Sequence, residues 1–177
     1  MKKMLFILAA AGLALTASAD VPRNTAATAP VAPVINLLRN PRFETQDADW
    51  LPVGPTKLFY DAGDPKSGKF AMRIVADQPG IHGCCQRGIA LQKGHTYRLT
   101  AAVRLAADFK GWVVVSLETS PDKKQKTVTT TNGQWAALEI PDIKIDQDCT
   151  VDLLLCTIED SRGVVWFDDV VLTDVTK

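Results

Sequence analysis

The side chains that could carry out acid–base chemistry in this chain are few. The sequence has two histidines and no G-x-S-x-G, H-E-x-x-H or phosphate-binding loop. A retaining glycosidase needs two carboxyls about 5–5.5 Å apart. Glu118 and Asp152 could lie on adjacent strands, but the sequence does not give the distance between their carboxyls. Asp168 and Asp169 are neighbours on a predicted strand, so they face opposite sides and cannot share a substrate. We therefore expect no enzyme activity.

The four cysteines, Cys84, Cys85, Cys149 and Cys156, are the other candidates for chemistry. Adjacent Cys84 and Cys85 cannot easily chelate one ion, and no C-x-x-C occurs, so the spacing argues against zinc. An exported protein would meet an oxidising compartment, where disulfides are permitted.

Export is predicted from the N-terminus. Lys2 and Lys3 precede an apolar stretch, Met4–Leu15, that is too short to span a bilayer, and Ala17-Ser18-Ala19 is a typical cleavage site. We expect a signal peptide over 1–19 and a secreted or periplasmic mature protein of bacterial type, with no membrane span.

The charge of the mature chain excludes one class of partner. Without Lys2 and Lys3, 18 basic and 20 acidic residues remain. This balance gives no electrostatic reason to bind nucleic acid or an anionic membrane.

The remaining chain predicts an all-β sandwich. Residues 20–33 form a Pro/Ala/Thr-rich linker or arm, and 34–177 form one domain. Alternating apolar residues between Gly- and Pro-containing turns are typical of strands in a sandwich or barrel. The predicted strands are Lys57–Tyr60, Phe70–Ala76, Ile81–Leu91, Thr96–Ala106, Trp112–Glu118, Lys126–Thr130, Gln134–Ile140, Thr150–Ile158 and Val164–Thr173.

The period of two assigns faces to three of these strands. The inward residues are expected to be Tyr97, Leu99, Ala101, Val103 and Leu105, then Val113, Val115 and Leu117, and finally Val151, Leu153 and Leu155. The opposite faces, with Trp112, Val114 and Leu154, are less polar than solvent alone would require.

The two ends of the domain carry a recognisable pattern. It opens with N-L-L-R-N-P-R-F-E at 36–44, continues with S-G-K-F-A-M-R-I at 67–74 and G-H-T-Y-R-L at 94–99, and closes with W-F-D-D-V-V-L at 166–172. Over about 34–174 the chain resembles the galactose-binding-like jelly-roll family, in particular the carbohydrate-binding modules attached to xylanases and other glycoside hydrolases.

The resemblance implies a two-sheet jelly roll. One sheet, expected to be convex, would hold the strands 70–76, 164–173, 96–106 and 134–140. The other, expected to be concave, would hold 81–91, 150–158, 112–118 and 126–130. It also implies a structural calcium bound by Glu44 and Asp168, with carbonyls near 67–69, since calcium prefers hard oxygen ligands. A salt bridge or a hydrogen-bonded turn is the alternative.

A carbohydrate site is expected on the concave sheet. A sugar has an apolar face and a hydroxyl rim, so its site needs an aromatic ring and planar polar groups. The alternation places Trp112 on this face as the platform, with capping of the sheet edge as its alternative role, and Trp50, Trp135 and Trp166 are expected in the core or at the rim. The residues predicted to bind a poly- or oligosaccharide are Trp112, Gln86, His82, Glu118, Asp152 and Ser116. Sugar contacts in the rim loops, 45–56, 78–82, 119–124 and 158–162, are an alternative.

The implied strand order also suggests a disulfide. It places Cys84 and Cys156 on antiparallel neighbours with both side chains on the concave face, so a cross-strand bond is possible. A one-residue bulge would exchange Cys85 for Cys84. The alternative function is a calcium-stabilised protein-interaction or assembly domain of the cell envelope, because this fold alone does not determine a function.

Overall fold

The structure is a computed structural model in which residues 35–46, 48–118 and 123–177 are described. The predicted signal peptide and the arm at 20–33 lie outside the described residues. Across these three ranges no helix is long and apolar enough to cross a membrane.

Ten antiparallel strands form two sheets of five. In chain order they are β1 (Leu51–Val53), β2 (Phe59–Asp61), β3 (Ala71–Ala76), β4 (Gly83–Leu91), β5 (Thr96–Leu105), β6 (Val113–Glu118), β7 (Lys124–Val128), β8 (Ala136–Lys144), β9 (Cys149–Thr157) and β10 (Gly163–Asp174). Sheet 1 has the order β1-β4-β9-β6-β7, and sheet 2 has the order β2-β3-β10-β5-β8. The predicted sandwich and the predicted membership of both sheets are confirmed.

The differences lie at the edges of the sheets. The three-residue β1, which pairs with β4, was not predicted. The strand β8 continues through Pro141, where a turn was expected, and ends at Lys144. Its pairing with β5 shifts register between Tyr97 and Leu99, and Asp142 has a positive φ of 52°. A bulge on an edge strand accommodates proline because the missing N–H faces away from the sheet.

The core lies between the sheets, and the face assignments for β5, β6 and β9 are confirmed. All eleven residues predicted to point inward are buried in one hydrophobic cluster. The buried Trp50 also belongs to this cluster, with its ring centroid 5.1 Å from that of Phe43. Burial of so much apolar surface is the dominant favourable contribution to folding.

The N-terminal motif ties the first described residues to the last strand. Asn36 Nδ2 donates to the carbonyl of Val170 (2.9 Å), and its Oδ1 accepts the N–H groups of Leu38 (3.2 Å) and Leu172 (3.0 Å). A single amide side chain therefore provides hydrogen-bond partners for three backbone groups. Buried backbone N–H and C=O groups need such partners. The Asn of the opening motif thus has a structural role.

The faces of β4 were predicted incorrectly. Cys84 is opposite Leu155 and Gln86 is opposite Leu153, both of which point into the core. Directly opposed residues of an antiparallel pair point to the same side of the sheet. Cys84 and Gln86 therefore point inward, and Cys85, opposite Leu154, points outward.

Candidate functional site

The outer face of sheet 1 has an exposed apolar row at one end. Trp112 precedes β6 and is opposite Ile158, whose N–H donates to the Trp112 carbonyl (3.1 Å). Ile81 precedes β4 and continues the same row, because the neighbouring His82 carbonyl accepts the N–H of Thr157 (2.8 Å). Trp112 is 50% exposed, Ile81 41% and Ile158 37%. We call these three residues the apolar row.

The backbone of Trp112 is held by a buried hydroxyl. Ser161 Oγ accepts the N–H of Trp112 (3.1 Å) and donates to its carbonyl (3.2 Å). The preceding Gly111 has a φ of 115°, and a Cβ at this position would lie 2.4 Å from Ser161 Oγ. Only glycine fits this approach, so the backbone from which the exposed indole projects is held in place.

The opposite end of the same face is charged. Glu118 is directly opposite Asp152. Lys123 Nζ lies 2.8 Å from Glu118 Oε2, and Ser116 Oγ donates to Glu118 Oε1 (2.7 Å). Asp152 accepts the N–H of Gly88 (3.2 Å). Three of the predicted site residues, Ser116, Glu118 and Asp152, are thus brought together here.

The two ends are far apart. Six residues along β6 separate Trp112 from Glu118, which corresponds to roughly 20 Å. Between them the outward side chains of Val114, Ser116, Cys156 and Cys85 are buried. The accessible groups are therefore at the ends, and Trp112 lies beside the rim loops 78–82 and 158–162.

Glu118 at the charged end is ionised at neutral pH. Burial raises the pKa of Glu118, but the hydrogen bonds from Lys123 and Ser116 and the charge of Lys123 outweigh it, so the pKa lies below its ordinary value. A glycosidase acid needs a raised pKa to hold its proton. The arrangement of Glu118 instead suits an ionised hydrogen-bond acceptor.

His82 and Gln86 do not belong to an exposed site. Gln86 is buried, with its Oε1 accepting the N–H of Arg39 (2.9 Å) and its Nε2 donating to the Arg39 carbonyl (2.8 Å). His82 is buried as well, and its Nε2 lies 2.9 Å from the carbonyl of Gln78, which can only accept. The predicted outward orientation of both is wrong, because β4 has the opposite face assignment.

Glu44 and Asp168 both hold the turn 66–70. Glu44 Oε1 accepts the N–H of Lys69 (2.8 Å), and Asp168 Oδ2 accepts the N–H of Ser67 (2.9 Å). Burial raises the pKa of Asp168 to about 6. No group of three or more His, Cys, Asp or Glu side chains suited to a metal occurs among the described residues. Calcium at Glu44 and Asp168 stays a prediction.

The predicted Cys84–Cys156 disulfide is absent. All four cysteines are free, and Cys84 lies in the core whereas Cys156 is on the outer face, opposite Gly83. Burial raises the pKa of Cys84 and raises that of Cys156 to about 11. These two thiols are therefore protonated and unreactive in the folded protein.

Ile81 and Ile158 were not named as site residues, although both fall within the rim loops 78–82 and 158–162 that were the alternative place for sugar contacts. Both lie two positions beyond outward-facing residues, Gly83 and Cys156, so the period of two could have placed them on the outer face with Trp112. Isoleucine is usually a core residue, and its exposure cannot be read from the sequence.

Solved structures share this fold. TmCBM61, solved in complex with beta-1,4-galactotriose, has a TM-score of 0.62 and 17% identity over 79% of this chain and 99% of its own. A family 16 carbohydrate binding module has a TM-score of 0.65 and 17% identity over 78% and 99%. The CBM22-1 xylan-binding domain of Xyn10C from Paenibacillus barcinonensis has a TM-score of 0.59 and 18% identity over 81% and 97%. No curated protein matches the sequence significantly.

The two antiparallel five-stranded sheets form a β-sandwich of the jelly-roll type, the fold of these solved binding modules. The sequence matches the "Carbohydrate binding domain" family over residues 35–146, more than half of the chain. The chain belongs to this family and is a carbohydrate-binding domain. The resemblance found in the sequence is confirmed, and the alternative of a protein-interaction domain is not favoured.

Proposed function

We propose that the chain binds an oligo- or polysaccharide at the Trp112 end of the outer face of sheet 1. The observation that carries this proposal is the half-exposed indole whose backbone is fixed by Ser161. An aromatic ring beside apolar side chains fits the C–H face of a sugar. A backbone that is already held in place also reduces the entropic cost of ordering this segment on binding.

Polar groups around the apolar row would recognise the hydroxyls. Arg162 follows Ser161, and its Nη1 donates to the carbonyls of Ser161 (2.8 Å) and Gln78 (3.3 Å). This side chain thereby joins the two rim loops that flank Trp112. A chain long enough to pass along β6 would reach Glu118 and Asp152, so we expect affinity to rise with the length of the oligosaccharide.

The test is binding to a panel of soluble galactans, xylans and other glycans, measured by Trp fluorescence and calorimetry. Replacing an anchoring Trp by Ala typically costs about 2 kcal/mol or more of binding free energy, a change of roughly 30-fold in Kd. Trp112→Ala should show this loss with an unchanged melting temperature. The control is Ile35→Ala, which removes an exposed apolar side chain outside the sheet face. Equal binding by both variants would place the site elsewhere.

We further propose that the domain has no catalytic activity. Support comes from Glu118, which is held ionised, and from the family, whose described function is binding. Incubation of the protein with any glycan that it binds should release no reducing ends. A product that disappears in Glu118→Gln would contradict the proposal.

Calcium is a second proposal, at Glu44 and Asp168. Carboxylates from distant parts of the chain hold one turn, and Asp168 is buried beside Asp169. A divalent cation would offset the cost of this buried charge, with turn carbonyls completing its hard-oxygen shell. Calcium should raise the melting temperature after treatment with EDTA, and Glu44→Gln should abolish the increase. No response to calcium would leave the two carboxylates as turn-holding groups only.

Export to the periplasm or the medium is the third proposal, and it rests on the basic, apolar and A-x-A segments of residues 1–19. N-terminal sequencing of the expressed protein should give Asp20 as the first residue. Recovery of the intact N-terminus from the cytoplasm would contradict it.

A further inference from the structure

The outer face of sheet 2 carries a row in which aromatic and arginine side chains alternate across all five strands. Phe59 is opposite Arg73, Arg73 is opposite Trp166, and Trp166 is opposite Arg104. Trp135, just before β8, completes the row, with its ring centroid 5.2 Å from the Arg104 guanidinium.

The row faces away from the core. The strand neighbours of the three central members, Arg73, Trp166 and Arg104, are buried in the hydrophobic cluster, as Met72 and Ile74 beside Arg73 show. Strands are about 4.8 Å apart, so Phe59 and Trp135 are separated by roughly 19 Å. This is a surface of the size of an oligosaccharide, on the side of the sandwich opposite to Trp112.

One half of the row is already saturated. The Arg104 guanidinium lies 4.3 Å from the Trp166 centroid and forms an ion pair with Asp64. Its side chain is only 14% exposed. The Trp166 indole N–H donates to Asp61 Oδ2 (2.7 Å). These contacts engage the Trp166 indole N–H and the Nη1 group of Arg104 within the sheet face, and the unpaired Arg104 Nε is buried.

The other half is open. The Arg73 guanidinium lies 5.6 Å from the centroid of Phe59, a ring that is 43% exposed. Arg73 forms no ion pair within the described part of the chain. The oxygens of the nearby Asp61 carboxylate already accept from Trp166 and from the N–H of Gly63 (2.8 Å). The pKa of Asp61 is lowered by the hydrogen bonds from Gly63 and Trp166 and by the charges of Arg73 and Arg104. Arg73 thus has a nearby carboxylate but no direct ion pair with it, and it lies between the exposed Phe59 ring and Trp166.

We propose that this row is a second carbohydrate-binding surface, selective for polysaccharides that carry carboxylate groups. The C–H face of a uronic acid would contact Phe59, and its carboxylate would accept two parallel hydrogen bonds from Arg73. Guanidinium and carboxylate match in this planar geometry, which ammonium or amide groups do not reproduce. The proposal is independent of the Trp112 site.

The experiment compares two forms of one polymer. Polygalacturonate and its methyl ester share a backbone and differ in charge, so calorimetry of the full chain with both isolates the contribution of the carboxylates. We expect polygalacturonate to bind at low salt, to bind more weakly in about 0.5 M NaCl because salt screens exposed charges, and the ester not to bind.

Variants locate the binding. Arg73→Gln should weaken binding of polygalacturonate by about tenfold or more, the usual loss for one charge-assisted contact. The control is Arg98→Gln, which removes an exposed arginine of the same sheet that pairs with Glu139 outside the row. Trp112→Ala should leave this binding unchanged, which separates the outcome from that of the first proposal.

Three results would overturn the inference: no binding of polygalacturonate, equal binding of the methyl ester, or equal affinities of Arg73→Gln and Arg98→Gln. If Arg73→Gln unfolds, Phe59→Ala on the short edge strand β2 replaces it. This variant keeps the arginine and should also lose binding of polygalacturonate.

Discussion

Gln86 offers the sharpest test of structural against sugar-binding roles on sheet 1. The substitution Gln86→Leu nearly preserves the volume of the side chain. It removes both hydrogen bonds to the Arg39 backbone (2.9 and 2.8 Å). Each such bond contributes about 1–1.5 kcal/mol, and the N–H and carbonyl left behind have no partner. We expect the free energy of unfolding to fall by roughly 2–3 kcal/mol.

The loss should be visible in both denaturant and heat. At about 2–4 °C per kcal/mol for a domain of this size, the melting temperature should fall by roughly 5–10 °C. Urea unfolding followed by circular dichroism gives the free energy directly. Gln92→Leu changes an exposed glutamine of the same strand region and should stay within about 0.5 kcal/mol of the parent.

Affinity for a glycan distinguishes the two roles. Because Gln86 is buried, Gln86→Leu should bind as well as the parent at temperatures where it is folded. Gln86→Leu could instead be as stable as Gln92→Leu and lose more than tenfold in glycan affinity. That result would show that Gln86 contacts sugar. It would refute the inward assignment of β4.

Two further predictions concern titration and thiols. Hydrogen bonds from Thr176 and His95 lower the pKa of Asp174 to about 2 from an ordinary value of 3.8. Its stabilising effect is therefore fully present above pH 3.8 and is lost as the pH falls through about 2. Asp174 is largely exposed, so Asp174→Asn should lower stability by less than about 1 kcal/mol at pH 7, and the two proteins should converge in urea unfolding at pH 2. In a thiol titration without reductant, Cys149, which is only partly buried, should react in the folded protein, and all four cysteines should react in denaturant. A total of two in denaturant would reveal a disulfide.

The strands of sheet 1 show what alternation can predict. In β6 and β9 the sequences V-V-V-S-L-E and T-V-D-L-L-L-C contain enough contrast between polar and apolar positions to fix the faces. In β4 the run G-C-C-Q-R-G has no such contrast. Its faces are set by Gln86, which is polar yet inward because it pairs with Arg39, 47 residues earlier. A long-range pairing of this kind leaves no local signal.

The candidate site divides in the same way. Trp112 was predicted because its face followed from the period of β6, and Glu118, Ser116 and Asp152 followed with it. Ile81 and Ile158 were covered only by the alternative of the rim loops and were not named, because exposure of isoleucine is a property of the assembled surface. The row on sheet 2 was missed for a related reason: its members come from separate segments and meet only when four ladders are in register.

The motif residues and the proposed binding residues have different tasks. Asn36, Glu44, Gln86 and Asp168 all bond to backbone and hold distant segments together. Trp112 and Arg73 instead present exposed or unpaired groups on opposite faces. We therefore expect a change in a residue of the first kind to alter the stability of this domain, and a change in one of the second kind to alter only what it binds. In this chain the motif residues account for the fold, and its ligand must be recognised by positions outside the motif, because a fold alone does not determine a function.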